Sequence, residues 1–309
     1  MKTYSFGVET VPVAMAGDLV IGSVHDERNY RITLARINEE EIIETHFLAG
    51  ENDWEGHSVA KLADGYIIGG AVEGKATPEG GSGWKAYVAR LDGNLEVLWE
   101  RKLEILGNEA VYAILPTRDG AFIAGEASDG KGRGLFIGRI TGDGEVLWLK
   151  ALGPWDDAVI SGLVELDGRP LLVGSLKEEK WKVKTFEFNE NGEPMRESEL
   201  TEGIALTAAE MGGKIILGGY KESDLWVWGG DWEVTLPNGA ATSLLPTGDG
   251  LLVGGEVEGK ATVIKLDSNG EPLWKRELWE RGWVEVLGEG VALGVKEEDG
   301  KTVMVVGRT

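Results

Sequence analysis

Five letters recur almost unchanged along this chain and restrict its folding more than any other feature: LEVLW at residues 95 to 99, GEVLW at 144 to 148 and GEPLW at 270 to 274. Each copy belongs to a longer unit. Around GEVLW the segments read AVYAILPTRDG, AFIAGEA, GLFIGRITGDG and EVLWLKAL. Four short runs alternate apolar with small or polar residues, and Gly, Asp and Asn gather between them, which is the pattern of strands joined by tight turns. Helical periodicity is missing throughout. Four strands repeated every ~40 to 50 residues read as blades of a β-propeller.

Three positions mark the unit. A glycine follows three apolar residues at the end of the second strand, as LVIG (Gly22), YIIG (Gly69), FIAG (Gly125), LLVG (Gly174), IILG (Gly218), LLVG (Gly254) and VALG (Gly294). Glycine in a strand signals close approach of another chain segment, so the series predicts a repeated contact between units. The third strand carries Arg36, Arg90, Arg139 or Lys265 between apolar neighbours, with Glu187 in the fourth unit. A charge kept at one blade position reads as scaffold. The fourth strand carries Trp99, Trp148, Trp232 and Trp274, each followed four residues later by leucine, while Glu44 and Arg196 hold that place in the first and fourth units. An aromatic side chain of this size buries about 150 to 250 Å², and its repetition predicts a filled wedge between blades.

The expected fold is all-β: a seven-bladed β-propeller of four-stranded antiparallel blades, forming a single domain over residues 1–309. Small residues in the first strands (SVA, AVYA, VISG, TAA, AATS) suit the crowded centre. Blade limits fall near 8–56, 57–109, 110–157, 158–203, 204–239 and 240–282, and the last blade takes 283–309 plus 1–7. That last unit runs out after three strands, and the chain opens with a spare strand-like piece, MKTYSFG. Residues 1–7 are therefore expected to complete the final blade, which removes the exposed edges of an open ring.

The phrases RLDGNLEVLW, RITGDGEVLW and KLDSNGEPLW resemble the repeats of quinoprotein-type (PQQ-like) propellers and of uncharacterised archaeal and bacterial seven-bladed propellers. Units of that family similarly end in an aspartate-glycine turn before a tryptophan-bearing strand. The resemblance covers most of the chain but only at structural positions, so it implies a fold and no function. It also implies quinone chemistry by name; the residues show no adjacent cysteine pair, export signal or acidic calcium site, and no cofactor is expected.

Composition narrows the function classes. The chain has no cysteine, which excludes disulfides, zinc-thiolate sites and thiol nucleophiles. Acidic residues number 53 against 31 basic ones, a net charge of -22. Such a field repels phosphate backbones and anionic lipid and favours cationic or neutral partners; neither nucleic acid nor membrane is expected. Polar residues interrupt the opening segment before any signal-like apolar run, and the expected location is cytoplasmic. The absence of cysteine and glutamine beside abundant glutamate points to a heat-adapted source, and the resemblance to archaeal and bacterial propellers implies an archaeal-like one.

Two sets of connections vary in length, those between blades and those between second and third strands. Propellers place both around one mouth of the channel, and variable loops carry function where repeated turns carry geometry. The candidate ligand-binding residues there are Asp53, Trp54, Glu55, Trp84, Trp155, Asp156, Asp157 and Trp283. The first reading is a non-catalytic scaffold for a protein or basic peptide partner. The alternative is a carbohydrate-binding or carbohydrate-cleaving propeller that uses the tryptophans and carboxylates. Cleavage needs carboxyl groups about 5 to 9 Å apart, whereas neighbours such as Asp156 and Asp157 point apart on an extended chain, so catalysis is not expected. His25, His46 and His57 lack metal-ligand spacing, and no metal is expected. The glycine-rich stretch 80–85, GGSGWK, lacks the spacing of a phosphate loop.

Overall fold

The computed structural model describes residues 1–74 and 83–309, leaving 80–82 of the glycine-rich stretch outside the described residues. Every regular element among them is a strand. After β1 (Lys2–Tyr4), the first unit is β2 (Glu9–Ala16), β3 (Leu19–His25), β4 (Tyr30–Asn38) and β5 (Glu41–Leu48). The second is β6 (Trp54–Leu62), β7 (Gly65–Glu73), β8 (Trp84–Asp92) and β9 (Val97–Leu103). The third is β10 (Asn108–Thr117), β11 (Gly120–Ser128), β12 (Arg133–Thr141) and β13 (Val146–Trp155). The fourth is β14 (Asp157–Leu166), β15 (Arg169–Lys177), β16 (Trp181–Phe188) and β17 (Pro194–Glu202). The fifth is β18 (Ile204–Met211), β19 (Lys214–Lys221), β20 (Asp224–Trp228) and β21 (Glu233–Leu236). The sixth is β22 (Gly239–Thr247), β23 (Gly250–Val257), β24 (Lys260–Leu266) and β25 (Pro272–Glu280). The chain ends with β26 (Gly282–Gly288), β27 (Val291–Glu298) and β28 (Lys301–Gly307).

Units two to six are separate four-stranded antiparallel sheets in chain order. The last and first units share one eight-stranded sheet, joined by a parallel bridge between Glu9 and Thr302. In it, β1 lies antiparallel to β28, with Lys2 opposite Val306 and Tyr4 opposite Met304. First strands touch in succession: β2 with β6, then β10, β14, β18, β22 and β26, and β26 with β2. Second strands such as β7 are buried almost end to end, whereas fourth strands such as β25 face solvent along most of their length. A strand buried on both faces needs a continuous apolar run, and the outer strands carry charges that discourage pairing at their edges.

The glycine series marks the expected contact between units at some positions: a Cβ on Gly69 would lie 2.6 Å from Val111 of the third unit, one on Gly174 2.4 Å from Leu135 of the third unit and one on Gly254 2.7 Å from Val284 of the last unit. It has a second cause as well. Each first strand contains a β-bulge, with one extra residue: Val13, His57, Tyr112, Ser161, Leu206, Thr242 or Glu285. The residue across from the start of each bulge is always glycine, namely Gly22, Gly70, Gly125, Gly174, Gly219, Gly255 and Gly294. In the Gly-Gly units the equivalent residue is thus the second glycine, not Gly69, Gly218 or Gly254. Nor do these glycines end their strands. A Cβ on Gly125 would lie 1.8 Å from the Ala110 carbonyl oxygen, and one on Gly22 would lie 2.0 Å from that of Val11. At all of them except Gly174, which faces the Leu135 side chain of the third unit, the bulge pushes a carbonyl of the unit's own first strand against the second strand, and a side chain there has no room.

The recurring tryptophan is a contact between units. Trp99 donates its indole N–H to the Gly142 carbonyl at 2.8 Å and lies against Gly144 in the next unit's turn. Trp148 does the same with Glu190, at 2.7 Å, and Gly192. Trp232 packs against Gly270. These turn glycines have φ of 82°, 75° and 83°, conformations glycine adopts freely. Beyond the sixth unit β28 is followed by no such turn among the described residues, and Trp274 is 38% exposed. Tyr4 in β1 supplies a related contact, its hydroxyl donating to the Glu40 carbonyl at 3.2 Å. Replacing Trp99 or Trp148 by alanine is expected to cost about 2 to 3 kcal/mol, and Trp274→Ala less than about 1 kcal/mol. Urea unfolding checks this; equal losses at all three would show that the turn contact contributes little.

The third-strand cations pair within their own units. Arg36 meets Asp18 at 2.8 Å, and Arg90, Arg139 and Lys265 meet Asp64, Asp119 and Asp249 of the first turns. In the fourth unit the signs are exchanged and Glu187 pairs with Arg169. The position keeps an ion pair rather than a charge of one sign.

Candidate functional site

Bulges also decide what the centre of the molecule presents, because an extra residue re-aims its side chain. His57 and Tyr112, the bulged residues of units two and three, lie with ring centroids 4.5 Å apart. Ser161 donates to the Ala205 carbonyl at 2.8 Å, again reaching from one first strand to the next. At the end of the molecule that carries the variable connections, units two and three separate around a cleft of about 260 Å³. Glu55 of β6, Trp84 of β8, Glu109 and Tyr112 of β10, Glu126 of β11 and Arg133 of β12 line it.

Three carboxylates therefore share this cleft with one guanidinium. Glu109 is 2% exposed. Its Oε1 accepts backbone N–H bonds from Ile105, Leu106 and Gly107, at 2.8, 2.7 and 2.5 Å, and so shapes the connection between the units. Its Oε2 has no hydrogen-bond partner among the described residues. Glu126 accepts the Ile160 N–H at 3.1 Å, and burial pushes its carboxyl above the usual range. Arg133 lies 3.6 Å from Glu126 and 3.5 Å from Asp157, a loose bridge rather than a tight pair. His57 Nε2 is 3.4 Å from Glu55 without an aligned hydrogen bond. Burial, with the negative charges of Glu126 and Glu55, pushes the Tyr112 hydroxyl up to about 12. The phenol stays neutral at ordinary pH, an apolar face with a hydroxyl among acids.

The other residues singled out by sequence have separate surroundings. Asp53 accepts the Tyr30 N–H at 2.9 Å and the Asn29 amide at 3.2 Å, which holds the 26–29 loop of the first unit. Trp54 is half-buried against the core, 5.1 Å from the Tyr87 ring, under the Lys102 ammonium. Trp155 packs 6.1 Å from Phe186. Asp156 is exposed, while Asp157 bonds its neighbour's N–H and approaches Arg133. Trp283 donates to Glu285 near the bulge of the last unit. Glu55 and Trp84 thus share the cleft, with Asp157 at its margin; Asp53, Trp54, Trp155 and Trp283 stand outside it. Among the described residues no cluster of three His, Asp or Glu side chains is arranged to hold a metal ion.

Glu109, Tyr112, Glu126 and Arg133 escaped the sequence reading because Glu109, Glu126 and Arg133 come from near the strand ends of a regular unit, and Tyr112 from a bulge within its first strand, where each looks like a repeat position. The one local cue is GNE at 107–109, a glutamate placed to bond the amides just before it.

No protein-family model and no curated protein matches this chain. Among solved structures it is similar to a protein of unknown function from Bacteroides caccae, at 15% identity and a TM-score of 0.53, over 84% of this chain and 93% of that one. It is also similar to BamB from Moraxella catarrhalis, at 13% identity and a TM-score of 0.55, over 96% of this chain and 85% of that one. At these identities the likeness concerns architecture alone, and in architecture the chain resembles the PQQ-like repeat β-propellers.

Proposed function

We propose that the chain is a non-catalytic scaffold, a seven-bladed propeller closed by its N-terminal strand, that takes a basic protein or peptide partner on its variable-loop face. The observation that carries the reading is the acidic cleft between units two and three, on the face where both variable sets of connections converge. A net charge of -22 supports it by drawing cationic partners through the long-range field. The sugar-binding alternative wants two or more loop tryptophans beside converging acids; this cleft holds Trp84, while Trp54 and Trp155 pack against core residues.

A lysine-rich peptide should bind with an affinity that falls as salt rises from 50 to 300 mM, and hydrogen exchange should show protection at the starts of β6, β8, β10 and β12. Protection confined to the opposite face, around Asp64, Asp119 and Asp249, would remove the choice of face. The closure is supported by the antiparallel run of β1 on β28 and by Tyr4 reaching the 38–41 turn. Deleting residues 1–7 should lower stability by about 2 kcal/mol, since it strips two half-buried aromatic rings, Tyr4 and Phe6, from the core. An unchanged thermal midpoint would show that the chain ends do not complete one sheet.

A further inference from the structure

We infer that the cleft between units two and three is a socket for a single cationic side chain, the ammonium of lysine or guanidinium of arginine, presented by the partner. The inference rests on the scaffold reading above and assigns its central contact. Glu109 is the reason for choosing this cleft over the rest of an acidic surface. Its carboxylate is buried and its Oε1 is satisfied by three amides, yet Oε2 has no donor. Buried polar atoms are nearly always paired, and Glu109, which lines the cleft, keeps an oxygen that lacks a donor. Glu55 and Glu126 add negative charge from two further strands, and Trp84 and Tyr112 supply aromatic faces of the kind that attract organic cations. Arg133 does not fill the place: it stands 3.6 Å from Glu126, is 55% exposed, and is drawn outward toward Asp157. A volume of about 260 Å³ admits one long side chain and not a folded segment. An anion would meet three carboxylates, and a neutral sugar would leave the buried Oε2 facing a weaker donor.

The test uses the full chain and three small probes: N-acetyl-lysine methylamide, the arginine counterpart and the uncharged norleucine counterpart. Binding is followed by NMR on the Trp84 indole N–H signal, assigned with Trp84→Phe. The lysine or arginine probe, or both, should shift that signal saturably, and the tighter of the two identifies the natural cation. The norleucine probe should leave it unmoved. Glu109→Gln and Glu55→Gln should each weaken the cationic probe by about tenfold or more. Among the described residues the Glu55 carboxylate accepts no backbone N–H and meets only His57, so its variant remains informative if Glu109→Gln fails to fold. Equal shifts by norleucine and lysine, or affinities unaltered by Glu55→Gln, would overturn the socket. If the lysine-rich peptide protects this face while no probe moves Trp84, the socket fails and the scaffold reading survives; if the peptide also leaves the face unprotected, both fail.

Discussion

Trp226→Ala should be the most damaging single substitution in the chain, lowering the unfolding free energy by about 4 kcal/mol. The indole lies in β20 at 0% exposure, among Val164, Val173 and Val183 of the fourth unit and Ala205 and Leu217 of its own. A Cβ on Gly203 would stand 3.2 Å from the ring, so the chain has given up a side chain there to admit it. The fifth unit has a fourth strand of only four residues, Glu233–Leu236. Less sheet is available to cover the interface, and one large side chain supplies the missing apolar area. Removing it leaves a cavity between two sheets whose backbones are fixed by their ladders and cannot collapse inward. The indole N–H has no partner among the described residues, and an unpaired buried donor costs about 1 to 3 kcal/mol. Trp226→Phe keeps most of the ring and discards that donor, so its net loss should stay below about 1.5 kcal/mol. Urea unfolding of the two variants separates the terms; a phenylalanine variant as unstable as the alanine one would mean that the N–H is satisfied and the full indole shape is required.

The all-β class and the four-stranded antiparallel unit were legible because they rest on period-two alternation and turn residues, which are local properties of the chain. The tryptophan repeat was legible as a contact between units, yet its partner was not. What Trp99 meets is the carbonyl of Gly142 and the bare Cα of Gly144, and those residues look like ordinary turn formers until the next sheet is placed beside them. The glycine series was visible, and its contact between units holds at Gly69, Gly174 and Gly254, but it has a second cause that the sequence did not display. That second cause is a bulge, and the extra residue ranges from Val13 to Glu285 in chemistry, so nothing in the composition of the first strand announces it. The unannounced bulges also hid the cleft. His57 and Tyr112 are aimed at one another by two bulges, and Glu109 and Glu126 arrive from strand ends 17 positions apart in a regular unit. Loops rich in acid and tryptophan were the natural place to look, and Trp54 and Trp155 show how such a loop residue can instead be drawn into the core beside it.

Glu285→Gln should stabilise the protein at pH 8 and do nothing near pH 4. Glu285 is the bulged residue of the last unit, at the place where other units carry Val13, Ser161 or Leu206. The Trp283 indole N–H donates to it and favours the carboxylate, but burial dominates and pushes its carboxyl from an ordinary 4.5 up to about 7. Because the folded chain binds this proton more tightly than the unfolded one, protonation favours folding. The associated stability is fully present below about pH 4.5, declines as the pH rises, and is gone above about pH 7. A difference of that size corresponds to about 3 kcal/mol. Glutamine keeps the volume and still accepts the indole hydrogen bond, but never has to ionise. Its variant should therefore follow the wild type at pH 4, diverge through pH 5 to 7, and stand up to about 3 kcal/mol above it at pH 8. Repulsion among the many surface acids also rises over this range, but it is common to both proteins and cancels in the difference. A constant offset between the two curves, with no divergence across pH 5 to 7, would mean that the carboxylate at this bulge is as well solvated in the folded protein as in the open chain.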